Sequence, residues 1–176
     1  DPTVIKAADG YFYVYATEST RNVPIMKSKD LVEWTYCNTA FTNKTRPRFE
    51  PKAGIWAPDI NYINGKYVLY YAMSVWGGEQ TCGIGVATAN SPQGPFTDHG
   101  KMFRSNEIGV QNSIDPSLLQ YEGRNYLVWG SFRGIYVIEL TADGLSIMPG
   151  AKKKRIAGTA FEAVYIHKHD DYYYMF

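Results

Sequence analysis

Four acidic residues, Asp1, Asp59, Asp115 and Glu162, each stand at the head of a similar short motif in a chain of 176 residues. They lie 47 to 58 residues apart, too far for one helix or strand to bring them together. Carboxylates gathered at one place suit cleavage of a glycosidic bond, where one acid protonates the leaving oxygen and one base activates water. The two groups need unlike environments, since one must hold its proton near neutral pH while the other stays ionised. A third negative charge nearby raises the pKa of the acid, so three converging carboxylates suit this chemistry better than two.

The elements that would position these residues are repeated. Asp1-Pro2-Thr3-Val4-Ile5 leads to Gly10-Tyr11-Phe12-Tyr13-Val14-Tyr15, and Pro58-Asp59-Ile60-Asn61-Tyr62 leads to Gly65-Lys66-Tyr67-Val68-Leu69-Tyr70-Tyr71. Asp115-Pro116-Ser117-Leu118-Leu119 leads to Gly123-Arg124-Asn125-Tyr126-Leu127-Val128-Trp129, and Glu162-Ala163-Val164-Tyr165-Ile166 to Asp170-Asp171-Tyr172-Tyr173-Tyr174-Met175-Phe176. Each reads as a short strand, a tight turn at Gly or Asp, and an aromatic-rich strand: a β-hairpin. The spacing leaves room for two further strands per unit, visible in Cys82–Ala89 and Gly134–Leu140 with Ser91-Pro92-Gln93-Gly94-Pro95 and Asp143-Gly144 as turns. Four antiparallel strands per repeat without crossover helices predict an all-β propeller rather than a parallel α/β sheet. A β-sandwich would also suit short strands, but the repeat favours blades, whose inner strands all start at one axial funnel. The expected blades are about 1–55, 56–111 and 112–158, with a fourth beginning at about 159–176. All belong to one propeller catalytic domain that forms part of a longer protein.

Composition excludes several other classes. The net charge is +1, and the single cationic run, Lys152-Lys153-Lys154-Arg155, is read as a solvated turn, so nucleic acid is not an expected partner. Cys37 and Cys82 have no metal or redox spacing and could pair or stay free. No apolar stretch is long enough for a membrane span. Asp1 stands where translation would place Met, so the chain reads as trimmed or processed, and a signal peptide would already be gone. The 15 Tyr, 8 Phe and 4 Trp favour strands and can stack on sugar rings.

Asp1-Pro2, Trp56-Ala57-Pro58-Asp59-Ile60, Asn112-Ser113-Ile114-Asp115-Pro116-Ser117 and Phe161-Glu162 before a Tyr-rich hairpin resemble, in order and over the whole chain, glycoside hydrolase family 43. The resemblance implies a five-bladed β-propeller of which about three and a half blades are present, and an inverting hydrolase, secreted or periplasmic. Asp1 would be the general base, Glu162 the general acid, and Asp115 the third carboxylate that raises the pKa of Glu162 and orients it. Inversion would set base and acid roughly 6.5–9.5 Å apart. Asp-Pro also serves as a plain turn signal. Glu162, between Phe161 and Ala163, lies in an apolar stretch where a carboxylate without a function would be costly to bury. Asp59 has no catalytic role in the family pattern and reads as a hydrogen-bonding residue.

Trp56, Trp76, Asn112 and Ser131 are the candidate substrate-binding residues. Trp56 is favoured as a sugar platform, whereas Trp76 is equally compatible with core or cleft. No cofactor is required, although the family's funnel can carry a calcium ion held in part by a histidine of a later blade. His99, His167 and His169 show no ligand spacing, and the last two read as a solvent face. The implied partner is a polysaccharide or oligosaccharide. The stretch Gly130-Ser131-Phe132-Arg133-Gly134-Ile135, and Ala163 where xylosidase-type members have Gly-Pro, favour endo-acting cleavage of α-1,5-arabinan. A β-xylosidase or arabinofuranosidase of the same family, or an inactive carbohydrate-binding propeller, is the alternative. A fructan-splitting propeller is disfavoured because Ile114 stands where that group has Arg.

Overall fold

Residues 1–18 and 20–176 are described by the computed structural model. The first sheet has the order β1 (Pro2–Lys6), β2 (Phe12–Ala16), β3 (Pro24–Ser28) and β4 (Thr35–Thr39). The second runs β5 (Gly54–Ile63), β6 (Lys66–Ser74), β7 (Gly83–Ala89) and β8 (Thr97–Arg104), followed by the one-turn helix α1 (Ser105–Ile108). The third comprises β9 (Ser117–Tyr121), β10 (Arg124–Ser131), β11 (Gly134–Glu139) and β12 (Lys154–Ala157). A hairpin of β13 (Ile166–His169) and β14 (Tyr172–Met175) begins a fourth. Every pairing is antiparallel between neighbours in sequence, the up-and-down order of propeller blades.

Local chemistry explains the hairpins. Asn64 and Gly65 join Ile63 to its partner Lys66, both with positive φ, as a two-residue type I′ turn requires. Glu122-Gly123 does the same between Tyr121 and Arg124. At the outer end of β10, a Cβ on Gly130 would fall 2.2 Å from the Gly134 carbonyl oxygen, so only glycine allows the strands to close there.

The hydrophobic core lies between the sheets. Tyr15, Ile25, Ile55, Leu69 and Tyr71 join the first and second blades, and Tyr70, Ile84, Val86, Leu127 and Trp129 join the second and third. Val128, Ile135 and Val164 begin the next interface. Buried polar contacts fix the angle between blades: the Tyr70 hydroxyl donates to the Gly144 carbonyl at 2.8 Å, and Tyr15 donates to that of Pro92. Gly144 has φ +74°, and a Cβ there would lie 2.6 Å from that tyrosine oxygen.

Two sequence expectations change here. The cationic run is not wholly a turn, because Lys154 and Arg155 lie in β12, the exposed outermost strand of the third blade. Charge on such an edge discourages pairing with another chain. Both cysteines are free; Cys82 is buried against the Ser105 hydroxyl in the second blade, while Cys37 lies in the first. His167 and His169 are exposed, as expected.

Candidate active site

Two cavities meet where the inner strands begin. The axial one, of about 380 Å³, is lined by four corresponding triplets: Asp1-Pro2-Thr3, Ala57-Pro58-Asp59, Asp115-Pro116-Ser117 and Ala163-Val164-Tyr165. Ala57, Asp115 and Ala163 all have positive φ, at 41°, 56° and 56°, which marks them as equivalent positions. This corrects the repeat register. Asp59 does not share the position of Asp1 and Asp115 but stands two residues further on, level with Thr3 and Ser117, while Glu162 comes one residue earlier. In this register Pro58 matches Pro2 and Pro116, and β5 carries a bulge between Trp56 and Asp59.

Asp59 ties three blades together. Its carboxylate accepts from the Thr3 hydroxyl at 3.4 Å, the Asn61 amide at 2.7 Å and the Leu118 backbone N–H at 2.8 Å. Burial nevertheless pushes its pKa up to about 6, against the opposing effect of these donors.

The second cavity, of about 500 Å³, opens beside the funnel and gathers Asp1, Asp115 and Glu162 with Trp56, Trp76, Asn112 and Ser131. All seven residues singled out in the sequence therefore line one cleft. Trp76 is 94% exposed at a loop tip, with its ring centroid 5.5 Å from that of Trp56, so the two indoles form a continuous apolar wall. Trp56 itself is half-buried against Ala72, Cys82 and Ile114. Ser131 is fully buried, and among the described residues its hydroxyl has no hydrogen-bond partner.

The carboxylates differ in setting. Asp115 is buried, with a pKa raised to about 7 by desolvation first and by the charge of Glu162 second; the Ala163 backbone N–H opposes this. Asp1 and Glu162 are exposed. Burial therefore acts on Asp115, while Glu162 stands at the edge formed by the two-stranded fourth sheet. Phe161 also turns outward, and Glu162 stands on the rim of a smaller apolar cavity shared with Ile135, Val164 and Met175.

Asp59 and Asp115 both have native pKa values above the usual 3.8, so the native state holds protons that the unfolded chain releases. Their favourable contribution is complete below about pH 4 and is lost as pH rises through about 6 to 7. For Asp115 this amounts to at most about 4 kcal/mol. Denaturant melts of the full-length protein should show stability falling from pH 5 to pH 8, and Asp115→Asn should flatten that fall. An unchanged slope in the variant would remove the claim.

Residues that the sequence did not single out hold the site. The Thr17 hydroxyl donates to the Asp1 carboxylate at 3.3 Å and accepts from the Ala57 N–H at 2.8 Å, locking the first blade's carboxylate to the second blade. Behind Asp115, the Trp129 indole donates to the Ser113 hydroxyl at 3.1 Å, and the Ser113 N–H donates to the Ser105 hydroxyl at 2.9 Å. This network holds the turn in which Asn112 and Asp115 both adopt left-handed backbone angles. Glu79 accepts from Arg133 at 3.0 Å and from Gln111 at 2.8 Å, tying the Trp76 loop to the third blade. Isolated Thr, Ser and Glu residues carry no motif, so only contact geometry reveals them.

Among the described residues no group of three or more His, Cys, Asp or Glu side chains comes together to hold a metal ion. Both Asp59 oxygens already accept hydrogen bonds.

A propeller with three carboxylates and an aromatic wall in one cleft has the residue types that cleavage of a glycosidic bond requires. The family model for glycosyl hydrolases family 43 matches residues 1–176, and the chain belongs to that family. It is 35% identical to the extracellular endo-α-(1→5)-L-arabinanase 1 of Bacillus subtilis, over 99% of this chain and 57% of that protein. The structure of Cellvibrio cellulosa α-L-arabinanase complexed with arabinohexaose superposes with a TM-score of 0.84 at 27% identity, covering 99% of this chain and 62% of the other. An exo-1,5-α-L-arabinanase from a bovine ruminal metagenomic library superposes at 0.83 with 31% identity, over 99% and 62%. The chain thus spans about three fifths of the length of these relatives. Among the described residues no helix is long and apolar enough to cross a membrane.

Proposed function

We propose that the full-length protein is an inverting glycoside hydrolase that cleaves α-1,5-linked arabinan, acting outside the cytoplasm in a secreted or periplasmic form. The observation that carries this reading is the single cleft lined by Asp1, Asp115, Glu162 and the Trp56–Trp76 wall. Asp1, exposed and held by Thr17, activates a water molecule. Glu162 protonates the leaving oxygen from the other side of the sugar. Asp115, buried between them in charge terms, couples to Glu162 and disfavours a second negative charge beside it. The two indoles offer apolar faces for pentose rings. The Asn112 amide offers hydrogen bonds to sugar hydroxyls. Two carboxylates and water complete the reaction without a cofactor.

Endo action on arabinan is supported by the Bacillus subtilis relative, an endo-arabinanase, whereas the ruminal relative is an exo-arabinanase. The test is incubation of the full-length protein with linear arabinan and with xylan, following the first-formed anomer by proton NMR. Arabino-oligosaccharides of several lengths with inverted configuration are expected. Products of retained configuration, or release from xylan alone, would overturn the proposal.

A further inference from the structure

A third cavity, of about 570 Å³, lies against the cleft and has no part in the proposed reaction. Its floor is electrically neutral. Arg46 is buried in an ion pair with Glu18 and also donates to the Ala53 carbonyl at 2.8 Å, while Glu50 is paired with Arg104. Its rim is not neutral. Arg21, Arg48 and Lys52 are exposed, line the cavity and make no ion pair among the described residues. Three unpaired cations around one opening contrast with a net charge of +1 for the whole chain.

The basic cavity adjoins the cleft. Gly54, Met73 and Glu18 line it, and Trp56, Ser74 and Thr17 line the cleft, at most two residues away along the same strands and turn. Trp56 forms the partition: its indole Nε1 lies so close over Gly54 that a Cβ there would be 2.5 Å from it. A polymer leaving the sugar platform over Trp56 therefore meets the cationic rim next.

We propose that this cavity binds carboxylate-bearing sugar units, uronic acids, of the same branched polysaccharide whose neutral branch occupies the cleft. Guanidinium forks match the two oxygens of a carboxylate, and a lysine at the rim adds a point charge. The neutral floor leaves room for a pyranose ring without adding a charge to bury. This site deepens the hydrolase reading and rests on it for the identity of the neutral branch.

The test uses the full-length protein and its Arg21→Gln/Arg48→Gln/Lys52→Gln variant. Three substrates are compared: linear arabinan, arabinan still attached to a uronic-acid-containing backbone, and that polymer after carboxyl reduction. Loss of three rim charges is expected to lower kcat/KM on the carboxylated polymer roughly tenfold at low salt, with the two uncharged substrates unaffected. Retardation of the wild type in gels containing polyuronate, and its loss in the variant, reads the site without hydrolysis. If retardation persists while no arabinan is cleaved, the hydrolase reading fails and the site stands. Equal losses on all three substrates would overturn the site, as would equal retardation by the carboxyl-reduced polymer. Release of the polyuronate by inorganic phosphate as readily as by free uronic acid at equal ionic strength would show a generic anion site and also overturn it.

Discussion

Asp1→Ala in the full-length enzyme is expected to lower turnover about 10²- to 10⁴-fold on arabinan and on 4-nitrophenyl arabinofuranoside alike. Water must be deprotonated whichever group leaves, so a good leaving group does not rescue a missing base. The carboxylate is exposed and held by a single long hydrogen bond from Thr17, and its removal leaves no buried donor without a partner. Stability should therefore stay within about 0.5 kcal/mol of wild type, and the loss can be assigned to chemistry. Kinetics on the two substrates, with a thermal melt as control, check this. Retention of full activity on the aryl substrate would show that Asp1 is not the base.

Glu162→Ala is expected to separate the same two substrates. Arabinan, whose leaving sugar alcohol needs a proton, should lose about 10²- to 10⁴-fold, while the nitrophenyl glycoside, which departs as a stable phenolate, should lose much less. The alkaline limb of the pH profile should also disappear for the aryl substrate, since that limb reports deprotonation of the acid. Equal losses on both substrates would assign Glu162 to another role. Because the charge of Glu162 helps to raise the pKa of Asp115, removing it should also let Asp115 ionise at lower pH. Carbon-13 NMR of the Asp115 carboxyl would follow that change.

Much of this site is legible in the residues. The repeat of strand, turn and aromatic strand is written in patterns whose causes are local: positive-φ turns at Asn64-Gly65 and Glu122-Gly123, and alternating burial in β2. Asp1, Asp115, Glu162, Trp56 and Asn112 could be singled out because motifs at repeat starts must converge on one axis, whereas Trp76 and Ser131 stand at or just past the far ends of second strands and reach the same cleft. Asp59 shows where this reasoning slips. By spacing alone it falls at the repeat start, yet Pro58 corresponds to Pro2 and Pro116, which sets Asp59 level with Thr3 and Ser117. Spacing between acidic residues tolerates an offset of two, which the shared proline and the positive-φ residue before it resolve.

The amino-acid order by itself determined the blade, its repetition, the acidic residues that reach the cleft and the near-neutral net charge. These follow from preferences that act within a few residues. The tertiary structure decided that Asp115 is buried. It also decided that Thr17 supports Asp1 and that Arg21, Arg48 and Lys52 crowd one rim beside the cleft. Desolvation, hydrogen-bond partnership and charge crowding depend on distances between segments far apart in the chain. Those distances exist only once the blades have packed against one another.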